Sequence, residues 1–145
     1  MSSVRRQIAD AILVRLNTVT ALKWKSYEII KMKVSDFQDF ELPAAQIIDL
    51  SDDNIHERTR GKKTWNITIE IVVGPTVAAT PSQGSLWDLL ETIEQALFQL
   101  PNLGLSEVIH MRLLGSTTDL HILMPLYTAR IDLQVDYYQS LVSPC

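Results

Sequence analysis

The sequence predicts a single-domain α+β protein with a mostly antiparallel sheet and two helices packed on one face of it. Two segments show the apolar periodicity of helices, and five others have the features of strands. Their order along the chain is α-β-β-β-α-β-β, and strands grouped between isolated helices favour an α+β arrangement. A chain of 145 residues with 46% hydrophobic side chains is long enough to build one sizeable core. We therefore expect residues 1–145 to form one domain.

The first helix is predicted from Ser2 or Ser3, either of which can cap it, to about Asn17. Apolar residues recur every four positions, as on one face of a helix that lies on a core: Val4, Ile8, Ile12 and Leu16.

Three strands are predicted next, at 27–34, 44–50 and 64–73. The third, TWNITIEIVV, alternates most clearly, with one apolar face made of Trp65, Ile67, Ile69, Ile71 and Val73. Between the second and third strands lies DDNIHERTRGKK, where both signs of charge, a histidine and a glycine are concentrated. We interpret residues 51–63 as an extended charged hairpin loop in which Gly61 can take a positive φ angle.

A long loop rich in glycine and proline, 74–84, separates this sheet from the second helix. That helix is predicted to begin at Ser85, with Asp88 completing a capping box, and to end before Pro101. Its buried side comprises Leu86, Leu89, Leu90, Ile93, Leu97 and Leu100. A second stripe, formed by Trp87, Glu91, Glu94 and Phe98, is either edge packing or a contact with another subunit.

The last two strands are predicted near 107–114 and from about Ile122 to Tyr138, joined by a turn at Gly115–Asp119. In the final strand, alternate positions are apolar: Tyr127, Ala129, Ile131, Leu133, Val135 and Tyr137.

Composition and charge narrow the possible functions. The net charge of −4 and pI near 5.3 argue against a surface that neutralises many phosphates. Asp10 and Arg15 interrupt the apolar run near the N-terminus, so no signal peptide is predicted, and no segment reaches the length of a membrane span. We expect a cytoplasmic protein. The single cysteine, Cys145, excludes an intramolecular disulfide and a CxxC zinc motif.

Enzymatic signals are weak. The three histidines form no HExxH pattern, and the five glycines form no phosphate-binding loop. His110 and His121 could approach each other across the predicted turn, but two histidines on neighbouring strands are usually ordinary side chains. Ser116, Asp119 and His121 lie too close in sequence for a catalytic triad. Asp52 and Asp53 fall in a polar loop, where carboxylates keep ordinary pKa values. We predict no catalytic residue, metal or cofactor.

The order of elements, together with three segments, resembles the tail terminator (tail completion) proteins of phages and prophages. The segments are the amphipathic helix VRRQIADAILVRL, the strand ELPAAQIIDL with an LPA-type start, and the alternating strand TWNITIEIVV before a leucine-rich helix. A polar loop containing Arg58 and Arg60 lies between the two strands.

This resemblance implies a non-enzymatic minor tail protein whose six subunits form a ring. Such a ring caps the tail tube, ends its polymerisation and provides the surface that joins the head. The implied partners are further copies of the chain, the tail tube protein and a head-completion or connector protein. The implied location is the bacterial cytoplasm during assembly, and the virion tail if the prophage is functional.

A ring requires two different patches on each subunit. We expect one patch at Trp87 and Phe98, and another at a strand edge bearing Lys31 and Lys33. Loops of mixed charge suit docking onto a partner ring, so residues 51–63 and 74–84 are the expected contacts with the tube or the head side. The candidate interaction residues in the charged hairpin are His56, Arg58, Arg60, Lys62 and Lys63.

Two alternatives remain open from the sequence. One is a small cytoplasmic enzyme or ligand-binding domain with an unrecognised pocket. The other is a nucleic-acid module that uses the hairpin cations, although the acidic remainder of the chain disfavours it.

Overall fold

The computed structural model describes residues 3–28, 30, 41, 43–57, 60–73, 83–100, 102–120 and 127–140. The elements are α1 (Val4–Asn17), β1 (Trp24–Ser26), β2 (Ala44–Glu57), β3 (Arg60–Val73), α2 (Gln83–Leu97), β4 (Val108–Leu120) and β5 (Tyr127–Ser140). The predicted α+β class and the element order are confirmed.

The five strands form one sheet in the order β1-β2-β3-β5-β4. β1 runs parallel to β2, and the other three pairs are antiparallel. β1, β2 and β5 therefore point one way, and β3 and β4 point the other way.

Helix α1 follows the prediction closely. The Ser3 hydroxyl accepts a hydrogen bond from the Arg6 amide at 3.1 Å, which satisfies one of the free amides of the first turn. Ile8, Ile12 and Leu16 are fully buried. The helix ends at Asn17, as predicted.

One hydrophobic core lies between the helices and one face of the sheet, here called the helix face. The predicted alternation is confirmed in β3 by Trp65, Ile67, Ile69 and Ile71, and in β5 by Ala129, Ile131, Leu133, Val135 and Tyr137, all of which are buried. Burying an aliphatic side chain of this size contributes about 1.5–3 kcal/mol, so these two central strands supply much of the driving force. Val73 is only half-buried.

Helix α2 begins at Gln83, so Ser85 lies inside the helix and is not its cap. Leu86, Leu90, Ile93 and Leu97 are buried as predicted, and Leu89 is half-buried. Leu100 was predicted to be buried but is 42% exposed, because it follows the helix end and the chain turns away there. Leu103 and Gly104 have positive φ angles of 58° and 76° in that turn.

The predicted strand at 27–34 is placed differently in the part that is described. The strand is β1, at Trp24–Ser26, and Tyr27 and Glu28 lie in a bend after it. Residues 29 and 31–34 lie outside the described residues, as do 74–82 of the predicted glycine- and proline-rich loop.

The predicted turn at Gly115–Asp119 is wrong, because β4 continues through it to Leu120. The side chains of this segment are typical of a turn, but Gly115 to Leu120 pair with Asp132 to Tyr127 of β5. Backbone pairing with a long neighbouring strand therefore outweighs local propensity.

Most of the predicted loop at 51–63 is also strand. β2 extends to Glu57 and β3 starts at Arg60, with Glu57 opposite Arg60. The ladder persists because β5 pairs with β3 along the same stretch, from Tyr137 opposite Lys63 to Ser140 opposite Arg60. The connection is accordingly shorter than the sequence suggests.

Candidate functional site

The charged hairpin, which we define as residues 51–63, continues the sheet beyond its helix-covered part. A register shift between Asp49 and Ser51, as at a β-bulge, separates it from the rest of β2. His56 pairs with Gly61, and Arg60 pairs with Glu57. The site residues predicted here are thus held on paired backbone, except Arg58, which lies outside the described residues.

Lys62 and Lys63 are half-buried and occupy successive positions of β3. Because side chains alternate along a strand, the two lysines lie on opposite faces of the sheet. Lys62 and Lys63 therefore do not form one phosphate-binding patch.

A second cluster lies where the start of α1 meets β2. The Trp65 indole N–H donates to Asp49 Oδ1 at 2.7 Å, and Arg5 donates to Asp49 Oδ2 at 3.3 Å. The Arg5 guanidinium also lies over the Trp65 ring, 5.0 Å from its centroid. These contacts connect α1 to the first part of the sheet.

Arg6, on the next position of α1, donates to Glu28 Oε1 at 2.9 Å. Nearby, the Tyr27 hydroxyl donates to Asp10 Oδ1 at 2.6 Å, and this hydrogen bond to a carboxylate raises the pKa of Tyr27 above its ordinary value. A side-chain hydrogen bond with Tyr27 is the main cause that raises the pKa of Arg6.

A cavity of about 540 Å³ lies between these groups and β2. Its walls include Ala9, Ile47, Asp49 and Trp65, with Arg5, Arg6 and Glu28 among the polar groups. Because Arg5, Arg6 and Trp65 already bond to carboxylates of the same chain, the cavity offers mainly apolar contact.

The sheet face opposite the helices, here called the outer face, carries a row of polar cross-strand pairs. Gln46 donates to Glu70 at 2.8 Å, Thr68 donates to Asp132 at 2.7 Å, and Gln134 donates to Asn66 at 3.2 Å. The row fixes the register of the three central strands, since each pair requires one alignment.

Asp136 ends this row and is 5% exposed. Its Oδ1 accepts from the Thr64 hydroxyl at 2.8 Å, and its Oδ2 accepts from Arg112 at 2.9 Å. His110 Nδ1 lies 3.6 Å from Oδ2. In the sequence, Asp136 is only one of the polar residues that alternate with apolar ones along the final strand, and this pattern does not indicate its burial.

The segment 115–119, across which His110 and His121 could approach each other if it were a turn, is part of β4. Leu120 therefore lies ten positions along β4 from His110, a distance of about 33 Å in an extended chain. His121 lies outside the described residues. Within the described ranges, no group of three or more His, Cys, Asp or Glu residues could hold a metal ion.

The predicted stripe on α2 is partly exposed. Trp87 is 56% exposed and Phe98 is half-buried, just after the helix end. Glu94, between them, accepts a hydrogen bond from the Ser116 hydroxyl. This contact shows that the stripe lies on the side of α2 nearest β4.

β4 carries an exposed apolar surface that the sequence did not reveal. Ile109, Leu113 and Leu114 of β4 are 39%, 41% and 55% exposed. Register shifts leave Ile109 and Leu114 without a partner in β5. These shifts interrupt the strict alternation of the two faces, so the exposure of these residues could not be predicted from the sequence pattern. The other predicted strand edge, with Lys31 and Lys33, lies outside the described residues.

Within the described ranges, the sheet has two open edges. One is β4 along its whole length. The other is β2 after Gln46, because β1 pairs only with Ala44, Ala45 and Gln46. In the same ranges, no helix has the length and apolar character needed to cross a membrane.

Comparison with known proteins yields a fold and no family. No protein-family model and no curated protein matches the chain. The fold is similar to that of a chain in a solved structure described as the virion of a native gene transfer agent (GTA) particle, with a TM-score of 0.61. The two chains are 7% identical, and the similarity covers 90% of this chain and 94% of the other. At this identity the likeness shows a shared fold.

Proposed function

We propose that this protein is a non-enzymatic assembly protein of a phage or prophage tail. In this proposal, six subunits form a ring that caps the tail tube, ends its polymerisation and provides the surface to which the head joins. The partners are further copies of the chain, the tail tube protein and a head-completion or connector protein. Assembly takes place in the bacterial cytoplasm, and the ring remains in the virion tail if the prophage is functional.

The observation that carries the proposal is the fold shared with a chain of a virion particle, over nearly the full length of both chains. The surface of the described residues is consistent with assembly. Two sheet edges are open, and large apolar side chains are exposed on one of them. A subunit of a closed ring requires two such different patches.

Mass photometry and light scattering of the purified chain test ring formation. We expect a hexamer, either in solution or after addition of tail tubes, and tubes that stop growing once the protein is bound. A chain that remains monomeric at every concentration and never binds tubes would refute the proposal.

The charged hairpin is the proposed docking element for the tube or the head-side partner. Replacing Arg58, Arg60, Lys62 and Lys63 together with Ser should leave the thermal transition nearly unchanged, because charged side chains near a hairpin end contribute little packing. Binding to tail tubes should fall, and the loss should diminish in high salt, where the wild-type interaction is itself screened.

A matched pair of variants separates docking from net charge. Lys62→Ser with Lys63→Ser removes two hairpin cations, whereas Lys23→Ser with Lys25→Ser removes two cations near β1. We expect only the hairpin pair to weaken tube binding. Equal effects from both pairs would mean that overall charge, and not the hairpin, governs docking.

The cavity beside α1 supports a second candidate function, a small ligand-binding domain. Its volume of about 540 Å³ falls within the range of small-molecule sites. A thermal-shift screen with metabolites and metals tests this candidate, with Ile47→Trp as a cavity-filling control. No shift with any compound would count against it.

A further inference from the structure

β4 is an open edge of the described sheet, and it has two register shifts but few of the other features that protect such edges. Soluble monomers protect such edges with lysine, proline, β-bulges, short length or a covering segment. The sequence from Val108 to Leu120 contains no lysine and no proline, and it exposes Ile109, Leu113 and Leu114. An edge with this composition pairs readily with another strand.

The open edge of β2 has the opposite character. From Ile47 to Glu57, the sequence includes the acids Asp49, Asp52, Asp53 and Glu57 and no lysine or arginine. Two copies of this edge would repel each other if they paired. The half of β4 before Gly115 instead carries Arg112 and His110. Because this half of β4 carries no acidic residue, pairing it with β2 brings no two acids together, whereas pairing β2 with itself does.

The two edges also match in position across the sheet. Across the sheet, Ile47 is level with Ser116, because Ile47 pairs with Ile69, Ile69 with Ile131, and Ile131 with Ser116.

At the other end of the open segment, Asn54 is level with Val108 through Lys63 and Tyr137. Among the described residues, β1 covers β2 only at the level of the remaining part of β4, from Thr117 onward, since Gln46 is level with Thr117. The open part of β2 and the apolar part of β4 thus span the same height.

Strand direction allows the two edges to join. β2 and β4 run in opposite directions within one subunit. A rotation about an axis parallel to the strands preserves these directions, so β4 of one subunit meets β2 of the next in antiparallel orientation. Repeating the rotation gives a cyclic assembly with one kind of contact.

We propose that subunits join edge to edge, with Val108–Ser116 of one copy paired antiparallel to Ile47–Asn54 of the next. This inference rests on the proposed ring and specifies its contact. If neighbouring subunits lie at the same height along the axis, His110 of one copy is level with Asp53 of its neighbour, and Arg112 is level with Ser51. Leu113 lies level with Asp49, on the helix face, where the cavity lined by Ile47 and Trp65 receives an apolar side chain.

Two blocked variants of the full chain test the contact. The first, Ile109→Lys with Leu114→Lys, places lysines on the β4 edge and leaves β2 intact. The second, Ser51→Lys with Asp53→Lys, places cations level with Arg112 and His110 and leaves β4 intact. The control, Val14→Lys, changes a side chain on α1 that is 56% exposed, close to the 55% of Leu114.

Each blocked variant should assemble at least about tenfold more weakly than the wild type, whereas Val14→Lys should assemble normally. Mixing the two variants should give a one-to-one dimer and nothing larger. The intact β2 edge of the first variant can pair with the intact β4 edge of the second, and the two edges that remain are both blocked. In hydrogen exchange, the amides of 47–54 and 108–116 should be slower in the wild-type assembly than in the variants. Thermal melts of each variant confirm folding.

Rings that form normally from both folded variants would overturn the edge contact while leaving the proposed function intact. Dimers of the second variant alone would overturn it as well, because they would indicate symmetric pairing of two β4 strands. A wild-type chain that assembles neither alone nor on tail tubes would instead refute the proposed function, and the contact with it.

Discussion

Replacing Tyr137 with Phe should stabilise the protein. Tyr137 is fully buried in β5, opposite Lys63 on one side and Val108 on the other. Its hydroxyl has no hydrogen-bond partner among the described residues. A buried polar group without a partner costs about 1–3 kcal/mol, and Phe keeps the ring while removing that group.

Taking the lower end of that range, because the lost oxygen leaves a small void, we expect a gain of about 1 kcal/mol. For a chain of this length, such a gain raises the melting temperature by about 2–4 °C. Urea denaturation and a thermal melt measure it, at matched protein concentration because assembly also raises apparent stability.

Tyr27→Phe is the control, since its hydroxyl does have a partner, Asp10. It should not raise the melting temperature. If Tyr137→Phe instead lowers it, the hydroxyl contributes a stabilising hydrogen bond and the reasoning is wrong.

Three further predictions concern the core, the buried carboxylate and pH. Ile69→Ala should cost about 2–5 kcal/mol in urea denaturation, because Ile69 is fully buried between central strands. Asp136→Ala should lower the free energy of unfolding by about 1–3 kcal/mol. A double-mutant cycle with Arg112→Ala should show a coupling energy above about 0.5 kcal/mol, and strictly additive effects would contradict the ion pair. An absorbance titration should show Tyr27 ionising above its ordinary pKa, and Asp10→Asn should lower the pKa of Tyr27. The hydrogen bond of Tyr27 should therefore stabilise the fold fully below the ordinary pKa of tyrosine. This stabilisation should be lost as the pH rises through the raised pKa of Tyr27 in the folded protein.

The sequence was most informative where alternation and capping were regular. The Ser3 cap, the buried face of α1 and the core face of β5 all follow from local pattern, since each depends on residues close in sequence. Asp136 could not be assigned in this way, because its burial depends on Thr64 and Arg112 from two other strands.

The lengths of β2, β3 and β4 were underestimated for the same reason. Gly115–Asp119 and the charged hairpin have the composition of turns, yet Gly115–Asp119 and residues 60–63 of the hairpin pair with β5. Their strand conformation is determined by a partner distant in sequence, which no local pattern encodes. The candidate interaction residues could likewise be predicted only in part. The hairpin cations were identifiable from their charge, whereas Ile109 and Leu114 became visible only as residues skipped by the β4 register.

The register shift after Asp49 has a consequence for how this protein can evolve. Beyond it, the hairpin is a ladder with the two-residue period of a strand, and β5 is the only other described strand that reaches Arg60. Removing or adding one pair of residues in each hairpin strand keeps every side chain on its original face, whereas a single-residue change reverses the faces. We therefore expect homologous chains to differ in hairpin length by even numbers of residues per strand, with the helix-covered core unchanged in length.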